Sequence, residues 1–217
     1  MIRVSTLPRP SALSARRRLV IGSAALLAAP VFIRDARAQP RLPATPAQTE
    51  GPYYPVAFPR DDDFDLLRNG DRRYGKGQAA WVTGRVLNPA GQGLKGGTVE
   101  IWQCDQDGHY DHPRDGARVD PDFQGFGRVT LSAEGAFRFR TIRPAPYSGR
   151  TPHIHVKVKL GPQELLTTQL YVEGDPGNAR DFLWSRLPAA GRSALTRPFV
   201  PGGDGLLSAE YTLVVEA

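Results

Sequence analysis

From Ala79 onward the chain falls into short runs in which apolar and polar positions alternate. The runs are A-W-V-T-G-R-V-L, G-T-V-E-I-W-Q, G-R-V-T-L, A-F-R-F-R-T-I, H-I-H-V-K-V-K-L, L-L-T-T-Q-L-Y-V and A-E-Y-T-L-V-V-E. A period of two is the pattern of a strand with one buried face. Gly, Pro, Asn and Asp separate the runs, as in P-A-G-Q-G and A-E-G-A. Strand-like runs closed by turn residues, without a strong helical period, predict an all-β fold, an antiparallel β-sandwich. One short helix is expected within residues 178–197, interrupted by Pro188. Ahead of the sandwich, residues 39–49 are Pro-rich and read as an extended arm. T-E-G-P-Y-Y-P follows with two aromatics, and residues 60–76 are charged and irregular.

The first 38 residues read differently. Arg16, Arg17 and Arg18 precede an apolar run that is too short, and too broken by Pro30, to span a membrane. Ala36-Arg37-Ala38 offers the small-x-small pattern of a signal peptidase site. The adjacent arginines suggest the twin-arginine route, which carries folded proteins out of the cytoplasm. The expected organisation is an export signal over 1–38, an irregular arm and pocket-lining segment over 39–78, and a sandwich domain over 79–217. Export would be to the periplasm or the medium.

This division changes the reading of charge. The whole chain has 28 Lys and Arg against 22 Asp and Glu, but residues 1–38 hold seven of the basic side chains and one of the acidic ones. What remains carries 21 of each. The basic balance therefore belongs to the export segment and gives no reason to propose nucleic acid or anionic lipid as a partner. Cys104 is the only cysteine, so no intramolecular disulfide exists. Its place beside a candidate strand suits a small buried residue better than a reactive thiol.

Candidate chemistry concentrates in Tyr147-Ser-Gly-Arg150-Thr-Pro-His153-Ile-His155. Two of the chain's four histidines sit two apart on a strand, so both imidazoles share one face. Tyr147 lies six residues upstream of His153, and Tyr110 lies in D-G-H-Y-D. Two imidazoles and two phenolates would favour a hard, highly charged ion such as Fe(III) over zinc or copper(I). Each residue also has a bland reading. Paired histidines on a strand are often merely core or surface polar groups, and tyrosines are commoner in cores than as ligands. Arg150 could be a solvated loop charge, and Gln169 an outward strand residue.

Three segments together narrow this choice. V-E-I-W-Q-C-D-Q-D-G-H-Y-D, F-G-R-V-T-L-S-A-E-G-A-F-R-F-R-T-I-R-P-A-P-Y and R-T-P-H-I-H-V-K-V occur in this order. They resemble the intradiol ring-cleavage dioxygenases, the protocatechuate 3,4-dioxygenase type in particular, and T-E-G-P-Y-Y-P is similar to a segment of that family too. The likeness covers most of residues 46–216. It implies a non-haem Fe(III) held by Tyr110, Tyr147, His153 and His155. Tyr147 and His153 match the axial pair, and Tyr110 and His155 the equatorial pair. Arg150 matches the arginine that faces the bound ring, Gln169 a polar residue near that ring, and Pro52 and Tyr53 a segment lining the pocket. Arg150, Gln169 and Tyr147 are thus the catalytic candidates.

The implied reaction consumes a catechol and O2 and opens the ring between the two hydroxyl-bearing carbons. Both oxygen atoms enter a cis,cis-muconate-type diacid. Protocatechuate is the favoured substrate, with catechol, hydroxyquinol or another substituted catechol as alternatives. The family is compatible with a homo- or hetero-oligomer. One departure stands out: only Ser148 and Gly149 separate Tyr147 from Arg150, so an aromatic wall residue expected there has no counterpart. Two competing readings belong to other classes. One is a non-catalytic β-sandwich binding module; the other is a zinc hydrolase built on His153 and His155, which lacks an Asp or Glu at the usual spacing.

Overall fold

All seven alternating runs form strands, because each can bury one face without stranding its backbone. The computed structural model describes residues 41–217. The expected export segment, residues 1–38, lies outside the described residues, as do Gln39 and Pro40 of the arm. In chain order the elements are β1 (Arg68–Asn69), β2 (Arg72–Arg73), β3 (Ala79–Leu87), β4 (Thr98–Trp102), β5 (Phe126–Thr130), β6 (Ala136–Ile142), β7 (His153–Leu160) and β8 (Gln163–Val172). They continue with α1 (Ala189–Leu195), β9 (Thr196–Arg197), β10 (Val200–Pro201) and β11 (Leu207–Val214).

A four-stranded sheet, β10-β11-β3-β6, faces a five-stranded sheet, β5-β4-β7-β8-β9. Val82, Val86, Phe137, Phe139, Tyr211 and Leu213 of the first sheet share one apolar core with Val99, Ile101, Ile154, Val156, Val158 and Leu170 of the second. Gly84 is needed where the first sheet is tightest. A Cβ there would stand 2.0 Å from the Tyr211 carbonyl and 2.7 Å from the Phe137 ring.

Three details differ from the pattern-based expectation. The sandwich is mostly antiparallel, but β11 runs parallel to β3 and β9 parallel to β8. Parallel neighbours need a long connection, and the first and last strands of the sandwich have almost the whole domain between them. Pro188 does not interrupt the helix; it is the N-cap of α1. A proline there loses no intrahelical hydrogen bond and its fixed φ starts the turn. Within the charged stretch 60–76, β1 and β2 pair as a tiny hairpin across Gly70-Asp71. Gly70 has φ of 60°, which suits the first central position of a type II′ turn.

The Pro-rich arm is tied down by its non-proline residues. The Thr45 backbone N–H donates to the Val214 carbonyl (2.9 Å), and the Val214 N–H donates back to the Thr45 hydroxyl (2.8 Å). Further along, the Gln48 N–H donates to the Thr167 carbonyl (2.9 Å). The arm thus passes from the four-stranded sheet to the five-stranded one, and delivers Glu50 to Tyr54 onto the latter's outer face.

Candidate metal centre and active site

Strand register sets the first row of the site. Trp102 on β4 pairs with His155 on β7, which pairs with Gln169 on β8; next to them His153 pairs with Tyr171. All five side chains stand on the face turned away from the apolar core, yet none is more than 1% exposed. Loops and the arm cover them. Gly51, with φ of 77°, passes so close that a Cβ would lie 3.3 Å from the His155 ring.

The two imidazoles converge. Their Nε2 atoms are 3.2 Å apart and their ring centroids 4.8 Å apart. His153 Nδ1 lies 2.6 Å from the Thr151 carbonyl. A carbonyl only accepts, so Nδ1 carries the proton and the neutral ring turns its Nε2 lone pair toward His155. Burial, with Arg150 nearby, pushes the His153 pKa down to about 4, and burial drives His155 well below the usual imidazole range. Both rings are therefore neutral, the form that binds a metal. The Trp102 indole stacks on His155 at 4.8 Å and 10°, which holds the ring where its buried Nδ1 has no hydrogen-bond partner among the described residues.

Two phenols complete the constellation. Tyr110 follows β4 in a loop organised by the buried Asp105 carboxylate, which accepts from the N–H groups of Asp107, His109 and Asp120 at 2.8–3.0 Å. Its own N–H donates to Asp115 (2.8 Å). Its ring meets Tyr147 at 4.9 Å and His155 at 5.9 Å, and Tyr53 stacks on it at 4.7 Å. Tyr147 lies 5.4 Å from His153, ring to ring.

Tyr147 is presented by a two-residue turn. Its carbonyl accepts from the Arg150 N–H (2.7 Å), with Ser148 at φ 41° and Gly149 at φ 77°. Two successive left-handed residues mark a type I′ turn, the tightest way to reverse a strand. The short link noted in the sequence is this turn. A cleft of about 600 Å³ lies beside it, lined in part by Arg143, Tyr147, Arg150 and Arg180.

Arg150 is no solvated loop charge: its side chain is only 10% exposed. Nε donates to Asp181 Oδ2 (2.7 Å) and Nη2 to Gln169 Oε1 (2.6 Å) and Asp181 Oδ1 (3.3 Å). Phe182 lies over the guanidinium at 5.1 Å. Gln169 also accepts from the Tyr171 hydroxyl (3.1 Å) and donates to the Thr49 carbonyl (3.2 Å), linking Arg150 to the arm. Pro52 is exposed at the edge, and Tyr53 is half-buried over Tyr110. Cys104 is fully buried, and burial pushes its thiol up to about 12.

Tyr53, Tyr110, Tyr147, Arg150, His153, His155 and Gln169 therefore meet in one place, whereas Pro52 lies exposed beside Tyr53. Three contributors were not singled out. Asp181 carried a local cap signature, since it accepts from the Leu183 and Trp184 N–H groups at 3.0 Å, but nothing local pointed to Arg150. Trp102 stood in one of the family-like segments without a role. Lys157 binds Glu50 and Glu164 and lies 3.9 Å over the Tyr54 ring, fastening the arm above the site.

Comparison with known proteins identifies the family of the fold. Residues 49–199 match the sequence profile of the family described as Dioxygenase. The chain belongs to the intradiol ring-cleavage dioxygenase family. It is 37% identical over 150 residues to the protocatechuate 3,4-dioxygenase beta chain of Burkholderia cepacia, covering 63% of each chain. It is 31% identical over 152 residues to a hydroxyquinol 1,2-dioxygenase of Corynebacterium glutamicum, covering 61% of this chain and 48% of the other. It thus spans less than two thirds of the length of these curated relatives. Among solved structures, the dioxygenase domain of a dioxygenase carbohydrate-binding protein fusion from Streptomyces sp. SirexAA-E is 31% identical with a TM-score of 0.64. That match covers 81% of this chain and 99% of that one.

The family is one of non-haem Fe(III) proteins, and the donor set here fits such an ion. The buried Tyr110 hydroxyl has no hydrogen-bond partner among the described residues, a cost of about 1–3 kcal/mol unless a cation meets it. Burial holds the phenol of Tyr110 well above its ordinary pKa, and raises that of Tyr147 against the opposing effect of Arg150. Without a cation such phenols stay neutral; a highly charged ion inverts that balance. Among the described residues no Asp, Glu or Cys joins the histidines in a three-ligand cluster.

Proposed function

We propose that the protein is a non-haem Fe(III) intradiol dioxygenase that cleaves a catechol with O2 to a muconate-type diacid, protocatechuate being the favoured substrate. The carrying observation is the convergence of the two imidazole Nε2 atoms and the orphaned Tyr110 hydroxyl beside Tyr147 and Arg150. Tyr110, Tyr147, His153 and His155 would hold the iron. When bound, Fe(III) would supply a Lewis acid that lowers the pKa of the catechol hydroxyls, so that the ring is present as an electron-rich dianion.

The remaining work belongs to the side chains. A catechol loses two protons on chelation, and Tyr147 is placed to take one. It is half-buried on a turn, whereas Tyr110 is sealed under Tyr53. Arg150 keeps its charge at any working pH and can stabilise negative charge developing on the ring. Its Nε and Nη2 are bonded to Asp181 and Gln169, which fixes the plane in which the guanidinium faces the site. Tyr53, stacked on Tyr110, would bound the pocket together with the neighbouring Pro52.

The test is an O2-uptake panel of substituted catechols on iron-loaded protein, with product identification. Ferric phenolate colour, one iron per chain and a colourless diacid are expected. A colourless protein that takes zinc, or a yellow ring-fission product, would overturn the reading. A second reading keeps the chemistry and changes the substrate to catechol or hydroxyquinol. The hydroxyquinol-cleaving relative at 31% identity and the short Tyr147–Arg150 turn support it. For residues 1–38 we propose export by the twin-arginine route. Detection of a mature chain starting near Gln39 outside the cytoplasm tests this.

A further inference from the structure

We propose that Asp181 is a positioning residue that sets the orientation in which Arg150 meets the substrate; the inference rests on the proposed dioxygenase activity. The Asp181 side chain is 0% exposed. Burial alone would disfavour its charge, but Arg150 and the Trp184 and Thr151 N–H groups hold its carboxyl below the usual range. It accepts from Arg150 Nε and Nη2, and from the backbone N–H groups of Thr151 (3.0 Å), Leu183 (3.0 Å) and Trp184 (3.0 Å). A buried carboxylate with both oxygens satisfied has one orientation, and a planar guanidinium gripped along its Nε–Nη2 edge inherits it. Gln169 takes a second bond from Nη2. The clamp therefore fixes the Nε–Nη2 edge of Arg150, and with it the plane in which the guanidinium meets the substrate.

The same carboxylate reaches the metal side. Thr151 donates its N–H to Asp181 and offers its carbonyl to His153 Nδ1 (2.6 Å). One group, 31 residues from Arg150 in sequence, thus fixes both the guanidinium and the peptide that sets the His153 tautomer. The loop carrying it is itself tied to Thr151, whose hydroxyl donates to Asn178 (2.8 Å), while Asn178 donates to the Val172 carbonyl (2.8 Å). Precision of this kind is what an electrostatic contact needs to act in a transition state without reorganising.

The test is a double-mutant cycle on iron-loaded protein with a catechol that the wild type cleaves. Asp181→Asn keeps an oxygen for the Leu183 and Trp184 N–H groups but removes the ion pair. Turnover should fall on the order of 100-fold, with iron content and ferric phenolate colour retained. On an Arg150→Lys background the same change should cost little more, because the two act as one unit. Asp181→Ser, which can still cap those N–H groups, serves as the second variant, and Asp181→Glu should recover part of the turnover. Wild-type turnover in Asp181→Asn, or full additivity with Arg150→Lys, overturns the proposal. So does loss of iron or of the folded state together with turnover in both variants, which would make the carboxylate merely structural. Failure of the wild type on every catechol would instead overturn the activity itself.

Discussion

Ile154, Val156 and Val158 alternate along β7 with His153, His155 and Lys157, and both sets are buried. The apolar set is buried by the opposite sheet, through non-directional packing that any side chains of similar volume could supply. The polar set is buried by the arm, the Tyr110 loop and the Asp181 loop. There each group is tied to a particular neighbour: His153 to the Thr151 carbonyl, His155 to the Trp102 indole, Lys157 to Glu50. One strand thus carries a face that packs the core and a face that builds the candidate site. Substitutions one residue apart should separate the two.

The largest effect is expected at His155. His155→Ala should abolish iron retention while leaving a cooperative folding transition, because the lost group serves the site and not the core. Metal analysis beside thermal melting checks this; full iron content in the variant would break the division between the faces. At the neighbouring position, Ile154→Ala should lose about 2–5 kcal/mol of stability through the cavity it leaves. Its folded fraction should still bind iron and show ferric phenolate colour. Denaturant titration with metal counting on the same samples decides it.

A third variant sharpens the polar face itself. Arg150→Lys should keep iron and colour but lose on the order of 100-fold in turnover, since lysine lacks the planar fork that Asp181 and Gln169 grip. Steady-state O2 uptake checks it, and wild-type turnover would return Arg150 to the role of a plain loop charge. The smallest effect is expected at the rim. Gly149 has φ of 77°, and a Cβ added there would meet nothing within 4 Å. Gly149→Ala should therefore cost only backbone strain, roughly 1–2 kcal/mol. A melting shift without loss of iron is the expected result. A loss of iron would show that the turn holds Tyr147 far more tightly than packing suggests.

The strands were legible because their alternation is local: β6 and β7 begin and end where the period of two begins and ends. Turn signals were legible only in part. The Gly70-Asp71 hairpin was hidden by a charged stretch whose side chains face water. Pro188 reads as a break because its position relative to the helix start cannot be seen without the cap. The ligand candidates stood out because His-x-His on a strand places two rings on one face by geometry alone.

What the sequence by itself determined is the seven longer strands, the shared face of His153 and His155, and a family resemblance strong enough to name Tyr110, Tyr147, Arg150 and Gln169. What only the tertiary structure decided is how the polar face becomes an interior. Asp181 and Trp102 join the site, Lys157 fastens the arm over it, and Arg150 is gripped by Asp181 and Gln169. The physical reason is range. Alternation and turn chemistry act over a few residues and leave their mark in local order, whereas burial of a polar group and the pairing of Arg150 with Asp181 depend on segments that only the folded sheet brings together.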